Sequence, residues 1–151
     1  MPHRIRLQRP WKREVYCNQQ LIHVEERVDL PDSQAIILDE ESAASHNVFD
    51  VTYHRSFNCP TGLEPTDKLS IELQEPVSGE VDVRLNGESL ARDETVGSKT
   101  DATEEVGIYS ISQPLRSQNS LEIHLVVTGE GGERGLQLQP EIGGVALKID
   151  S

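Results

Sequence analysis

The chain is poor in the residues that most often mark a chemical function. Its 151 residues include two cysteines, Cys17 and Cys59, and no CxxC pair. The five histidines are scattered and no HExxH pair occurs, so neither a zinc site nor a redox motif is predicted. A G-x-S-x-G nucleophile elbow is also missing, and the glycine-rich run Gly129–Gly135 lacks the Lys-Ser/Thr of a phosphate-binding loop. These absences favour a binding protein over an enzyme, and a small hydrolase has only the abundance of acids behind it.

Long apolar runs are absent too. No segment approaches the ~18 consecutive apolar residues of a membrane span. The N-terminal stretch Met1–Val15 is basic, but the apolar region of a signal peptide does not follow it. We therefore expect a cytoplasmic protein that does not bind membranes. A secreted chain whose signal had been removed would have the same sequence.

Positive charge is scarce outside the N-terminal segment. The chain has 14 Lys and Arg against 26 Asp and Glu, a net charge of −12. Met1–Arg27 holds six basic and three acidic residues, so the rest of the chain carries −15. An acidic body repels phosphate backbones, which excludes nucleic acid as the main partner. We expect the basic segment to pair with this acidic body rather than with an anionic surface.

The chain is rich in short segments that have an apolar residue at every second position. In Glu80–Leu85, three apolar residues share one face while Asp82 and Arg84 share the other. This period of two predicts a half-buried strand, and Asn86-Gly87 predicts a tight hairpin turn after it. Further strands are predicted at His3–Arg9, Glu14–Cys17, Leu21–Val28, Ala35–Leu38, Val48–Phe57, Lys68–Leu73, Gly107–Ile111, Asn119–Val127 and Ile142–Ile149. Ala91–Glu105 is predicted to be a long loop, and Gly129–Gly135 a flexible connection. The pattern predicts one all-β domain over residues 1–151, an antiparallel β-sandwich.

The order of several segments is similar to a known pattern. Tyr53–Pro60 reads Tyr-His-Arg-Ser-Phe-Asn-Cys-Pro and precedes the apolar strand Asp67–Leu73, the Asn-Gly strand Glu80–Leu90, then Ile111–Leu115 and Asn119–Leu125. This order resembles the galactose-binding-like jelly-roll domain, as in the sugar-binding domain of glycoside hydrolase family 2 enzymes. The resemblance covers about residues 50–127 and implies a jelly roll that binds carbohydrate. Residues 88–105 depart from it, because they are acidic and lack the aromatics that the family usually has there.

Three residues are candidates for a sugar site, which needs a flat aromatic ring and planar polar groups. Trp11 follows a proline at a strand end, where it either forms a platform or caps the core. Arg55 lies between Tyr53 and Phe57 on the face that should point inward. It would either clamp a hydroxyl pair or carboxylate, or form an ion pair with an acid on a neighbouring strand. With Tyr109 nearby, these residues predict a ligand site in loops at one end of the sandwich.

Two further possibilities stay open at this stage. No resident cofactor is predicted, but the acidic stretches Asp39–Glu41, Asp93-Glu94 and Asp101–Glu105 would suit calcium if they are not simply solvated faces. The leading prediction is a non-catalytic carbohydrate-binding module. Its alternative is a protein–protein interaction or structural module, favoured by the acidity and by the aromatic-poor stretch after Asn86-Gly87.

Overall fold

The computed structural model describes residues 3–32, 35–38, 48–74, 81–92, 106–132, 135–138 and 140–150, and their regular structure is entirely β. The thirteen strands in these ranges are β1 His3–Arg6, β2 Trp11–Cys17, β3 Gln20–Val28, β4 Ile36–Leu38, β5 Val48–Asn58, β6 Lys68–Gln74, β7 Val81–Leu85, β8 Glu88–Ser89, β9 Val106–Ile111, β10 Gln118–Thr128, β11 Glu130–Gly132, β12 Gly135–Leu138 and β13 Val145–Asp150. In this part of the chain no helix is long and apolar enough to cross a membrane.

The strands form two main sheets and a small third one. The six-stranded sheet has the order β3-β2-β5-β10-β7-β8, and the four-stranded sheet has the order β1-β13-β6-β9. The third sheet has the order β11-β12-β4. The strand pairs are antiparallel. The predicted all-β antiparallel sandwich is therefore confirmed.

Alternation of side chains builds the core. Along β2 and β10 every second residue is buried, and the apolar members of these sets join one cluster with residues of the four-stranded and small sheets. The large apolar side chains of the six-stranded sheet that are fully buried are Trp11, Tyr53, Phe49, Leu121, Ile123 and Leu125. The alternate side chains of the same strands consequently point away from the core.

Tight turns join two neighbouring pairs in the six-stranded sheet. Asn86 and Gly87 have φ of 52° and 88° and join β7 to β8, as the Asn-Gly pair predicts. Asn18 and Gln19 have φ of 51° and 65° and join β2 to β3 in the same way. Asn tolerates this left-handed conformation better than other residues with a side chain, whereas Gln19 carries no such signal.

The described residues of the segment Gly129–Gly135, 129–132 and 135, are more regular than the sequence predicts. β11 lies within the segment and β12 begins at its last residue. The two strands pair with each other, with Gly131 opposite Leu136, and β12 also pairs with β4. Glycine lacks a side chain to alternate, so the backbone ladder that orders this segment has no period in the sequence. Of the predicted loop Ala91–Glu105, residues 93–105 lie outside the described ranges.

We expect Gly143→Ala to destabilise the fold by about 1–3 kcal/mol, because overpacking forces the backbone to move. A Cβ at Gly143 would lie 2.0 Å from the backbone carbonyl oxygen of Gln74, which cannot rotate away. Gly144→Ala is the matched control, since its Cβ would meet the side-chain Oε1 of Gln74 at 2.9 Å, and that side chain is exposed and free to turn. Urea denaturation of both variants tests this. Equal losses of unfolding free energy would contradict the packing at Gly143.

Candidate functional site

A groove of about 550 Å³ crosses the outer face of the six-stranded sheet. Its walls come from four neighbouring strands, β2, β5, β10 and β7, and from the β2–β3 turn. The lining residues are Glu14, Tyr16, Gln19, Asp50, Thr52, Val81, Asp82, Arg84, Glu122, His124 and Val126. Most of them are the residues that alternate with core positions along their strands, so the strand pattern that builds the core also lines the groove with polar groups.

Strand register arranges these side chains in rows across the sheet. Glu14 lies opposite Thr52, Thr52 lies opposite His124, and His124 lies opposite Asp82. This row crosses four strands and spans roughly 14 Å, since neighbouring strands lie just under 5 Å apart. In an adjacent row Tyr16 lies opposite Asp50. The groove thus presents an ordered grid of donors and acceptors to an extended ligand.

Hydrogen bonds hold several of these side chains in place. The Thr52 hydroxyl is 3.1 Å from His124 Nδ1, and His124 Nε2 is 3.0 Å from Glu122 Oε2. The contacts are satisfied together when Thr52 donates to Nδ1 and Nε2–H donates to Glu122. On the neighbouring strand the Tyr16 hydroxyl donates to Glu14 Oε2 at 3.2 Å. The side chain of Asp50 is exposed and makes no hydrogen bond with the described residues, so its carboxylate is available to a ligand.

The groove is acidic. Four carboxylates against one guanidinium leave three net negative charges when His124 is neutral. Burial alone would raise the pKa of Asp82, but hydrogen bonds from Arg84 and Ser89 outweigh it and hold that pKa below its usual value. Burial and the neighbouring Glu14 raise the pKa of Tyr16, which keeps its phenol protonated at neutral pH. The groove therefore offers charged acceptors together with a neutral phenol donor.

The three residues predicted from the sequence do not share one site. Trp11 is fully buried in the core, and its indole N–H donates to the Leu7 carbonyl oxygen at 2.8 Å. Tyr109 is buried on β9, at the edge of the other main sheet. A buried ring presents no face on which a sugar can stack, and the groove is therefore a candidate site that the sequence did not predict. Arg55 is partly buried on the inward face of β5, and the described residues supply no ion pair to it.

The buried ion pair of this sandwich involves Arg13, which lies on the core face of β2. Its Nη1 donates to Asp32 Oδ2 at 2.6 Å, its Nη2 contacts Glu25, and the Tyr53 hydroxyl donates to Asp32 Oδ2 at 2.7 Å. Burial would lower the pKa of Arg13, but Asp32, Tyr53 and Glu25 outweigh it and raise that pKa. Burial and Asp32 raise the pKa of Tyr53. Arg13, Asp32 and Tyr53 are buried while Glu25 is half-buried, so the cluster holds an ion pair inside the protein.

Basic residues of the N-terminal segment pair with the acidic body, as the charge pattern predicts. Arg4 Nε donates to both carboxylate oxygens of Glu72, at 3.0 and 2.9 Å, and Arg13 pairs with Asp32. The acidic stretches considered for calcium, 39–41, 93–94 and 101–105, lie outside the described ranges. Within those ranges no group of three or more His, Cys, Asp or Glu is placed to hold a metal ion.

Sequence reasoning missed the groove residues for a physical reason. Their signal is the polar half of each alternating strand, which is ordinary for any sandwich surface. Only the strand order brings them together, and β5 pairs with β10 some sixty residues further along the chain. The strand order β2-β5-β10-β7 is what places these residues in one groove.

Comparison with known proteins shows a similarity of fold. No family model matches the chain, and no curated protein matches it. The fold is similar to part of the crystal structure of an FMN-binding beta-glucuronidase from Facaelibacterium prausnitzii L2-6, with a TM-score of 0.61 and 16% sequence identity. The match covers 99% of this chain and 22% of that one. At this identity the similarity shows the fold alone, an all-β unit that also occurs within a glycoside hydrolase.

Proposed function

We propose that this domain is a carbohydrate-binding module whose ligand lies in the groove across the six-stranded sheet. The observation that carries the proposal is the grid of phenol, hydroxyl, imidazole and carboxylate groups held in register over four strands. Sugar hydroxyls need donors and acceptors at close spacing, and an aromatic ring supplies apolar contact to the sugar's C–H faces. Tyr16 is the aromatic residue of the groove, and Asp50, opposite it, is the acceptor without a partner in the described structure.

The charge of the groove favours a neutral sugar over an acidic one. Three net negative charges would repel a carboxylate or sulfate on the ligand. A carboxylate that accepts hydrogen bonds from neutral hydroxyls makes charge-assisted bonds, which are roughly twice as strong as neutral ones. We therefore propose neutral mono- or oligosaccharides as the ligand class.

Two observations support a binding role without catalysis. The same fold occurs within a beta-glucuronidase, of which this chain spans 22%. This agrees with the proposal of a galactose-binding-like jelly roll, a domain that occurs beside the catalytic domain of a glycoside hydrolase. A general acid in a glycosidase needs a carboxyl whose pKa is raised. In the groove the pKa of Asp82 is lowered instead, and Glu122 is held by His124. We propose that these carboxylates bind hydroxyls and do not transfer protons.

A calorimetric screen against neutral glucose-, galactose- and mannose-based sugars tests the proposal. We expect saturable binding that weakens roughly tenfold to a hundredfold in Asp50→Asn, because a hydrogen bond to a charged group contributes about 1.5–3 kcal/mol. Tyr16→Ala should weaken it as well, through loss of the ring. Asp150→Asn is the matched control, since this carboxylate lies on the other main sheet.

The outcomes separate the two candidate functions. No saturable binding of any neutral sugar to the folded protein would overturn the proposal, as would binding that Asp50→Asn and Tyr16→Ala leave unchanged. A protein partner is the alternative, favoured by β3, an edge strand on which Leu21 and Val24 are 44% and 40% exposed. Edge strands offer unpaired backbone groups to another chain. Association that Leu21→Ser and Val24→Ser abolish, without any sugar binding, would favour that alternative.

A further inference from the structure

A second pocket lies between the two main sheets, away from the groove. Its volume is about 400 Å³, and Arg55 lines it from the inward face of β5. The neighbours of Arg55 on that face, Tyr53 and Phe57, are both buried, while Arg55 is half-buried. Arg6, Ser56, Asn58 and Gln118 line it too, and its other lining residues are apolar.

Arg55 lacks a counter-ion in the described structure. Its Nη1 donates to the Arg9 carbonyl oxygen at 2.7 Å, whereas its Nε is buried without a hydrogen-bond partner. The described residues supply no further hydrogen bond or ion pair to the guanidinium. Burial lowers the pKa of Arg55, yet a guanidinium remains protonated in proteins. A partly desolvated cation without a counter-ion is costly, and this one occurs in a chain of net charge −12.

The chemistry of this pocket is the opposite of that of the groove. None of the residues given above as lining it is a carboxylate, and two of them are arginines. Ser56, Asn58 and Gln118 add side chains that donate hydrogen bonds. In so acidic a protein, a cavity lined by cations and neutral donors selects for a negatively charged group.

We propose that the Arg55 pocket binds a carboxylate group of a ligand, which supplies the missing counter-ion. A planar guanidinium and a carboxylate make short charge-assisted hydrogen bonds, frequently two in parallel. This site is separate from the groove and does not depend on the proposed sugar binding there. Its ligand is either a simple carboxylate or a sugar that carries one.

Arginine Nε–H signals in a ¹H–¹⁵N NMR spectrum give a direct test on the wild-type protein. The probes are sodium acetate, sodium glucuronate and glucose, at constant ionic strength set with sodium chloride. We expect a saturable shift of the Arg55 signal, identified by its loss in Arg55→Lys, with both carboxylates and none with glucose. Backbone amide signals of Ser56 and Asn58, which also line the pocket, follow the titration in every variant. By these signals the affinity for the carboxylates should fall at least tenfold in Arg55→Lys, which keeps the charge but loses the planar fork. Arg84→Lys, on the outer sheet face, is the matched control and should bind as wild type.

Two results would support the proposal, and they identify the source of the carboxylate group. Equal affinities indicate that the carboxylate alone is recognised, and tighter binding of glucuronate indicates that the sugar ring contributes. No saturable shift of the Arg55 signal with either carboxylate would overturn the proposal, as would full affinity in a folded Arg55→Lys variant. Failure here is distinguishable from failure of the groove, because Asp50→Asn and Tyr16→Ala should not alter this titration.

Discussion

Arg13→Met is expected to lower the free energy of unfolding by about 3–5 kcal/mol, the usual cost of removing one partner of a buried ion pair. The side chains of Arg13 and Asp32 are 1% and 2% exposed. The substitution removes the guanidinium from the Asp32 carboxylate inside the sandwich, while the Tyr53 hydroxyl still donates to that carboxylate. The backbone of Asp32 is held by two hydrogen bonds to Ile142, so the carboxylate cannot easily swing out to water. Urea denaturation at pH 7 measures the loss.

A surface arginine and a double variant make the test specific. Arg9→Met removes an arginine from an ion pair that is exposed on both sides, since the side chains of Arg9 and Asp29 are 72% and 63% exposed, and exposed pairs contribute only about 0–1 kcal/mol. In Arg13→Met/Asp32→Leu both buried charges are gone, and apolar replacement of a buried pair is often neutral. We therefore expect the double variant to be more stable than Arg13→Met alone. A loss in Arg13→Met no greater than in Arg9→Met would contradict the buried pair.

Arg13 also marks how far the sequence predicts the core. In β2 the side chains of Trp11, Arg13, Val15 and Cys17 alternate onto the core face, whereas the predicted strand, Glu14–Cys17, begins one residue after Arg13. Neither the buried position of Arg13 nor its partner was predicted. Asp32 lies beyond the end of β3 and reaches Arg13 only because its backbone pairs with Ile142, more than a hundred residues later. Local periodicity fixes the face of a side chain, whereas long-range pairing fixes its neighbour.

The same difference between local periodicity and long-range pairing explains which features of the candidate sites were predicted. The strand Val48–Phe57 and the inward direction of Arg55 follow from alternation, and the structure has both. The acid on a neighbouring strand that was considered for Arg55 does not occur among the described residues. The groove residues depend on the order β2-β5-β10-β7, whose members are not consecutive in the chain. The strands can be predicted from a single sequence, but the sites depend on the order in which the strands pair.

Trp11→Ala is expected to cost about 3–5 kcal/mol, the range for removing a large aromatic side chain from a core. The indole is fully buried and donates to the Leu7 carbonyl oxygen, so the variant loses both packing and a hydrogen bond. Trp11→Phe keeps a ring in the core and should lose less. Since Trp11 is the single tryptophan of the chain, its fluorescence reports unfolding of the wild type, and circular dichroism serves both variants.

This prediction also decides between the two roles that the sequence left open for Trp11. A ring with no exposed face cannot stack on a ligand, so Trp11→Phe should bind any groove ligand as wild type does, while Tyr16→Ala should not. In the wild-type protein, the fluorescence emission of Trp11 should be that of a buried indole, and iodide in solution should not quench it. If a folded Trp11→Phe variant lost sugar binding that Tyr16→Ala retained, the ligand would lie at the Trp11 end of the sandwich. The groove would then not be the binding site.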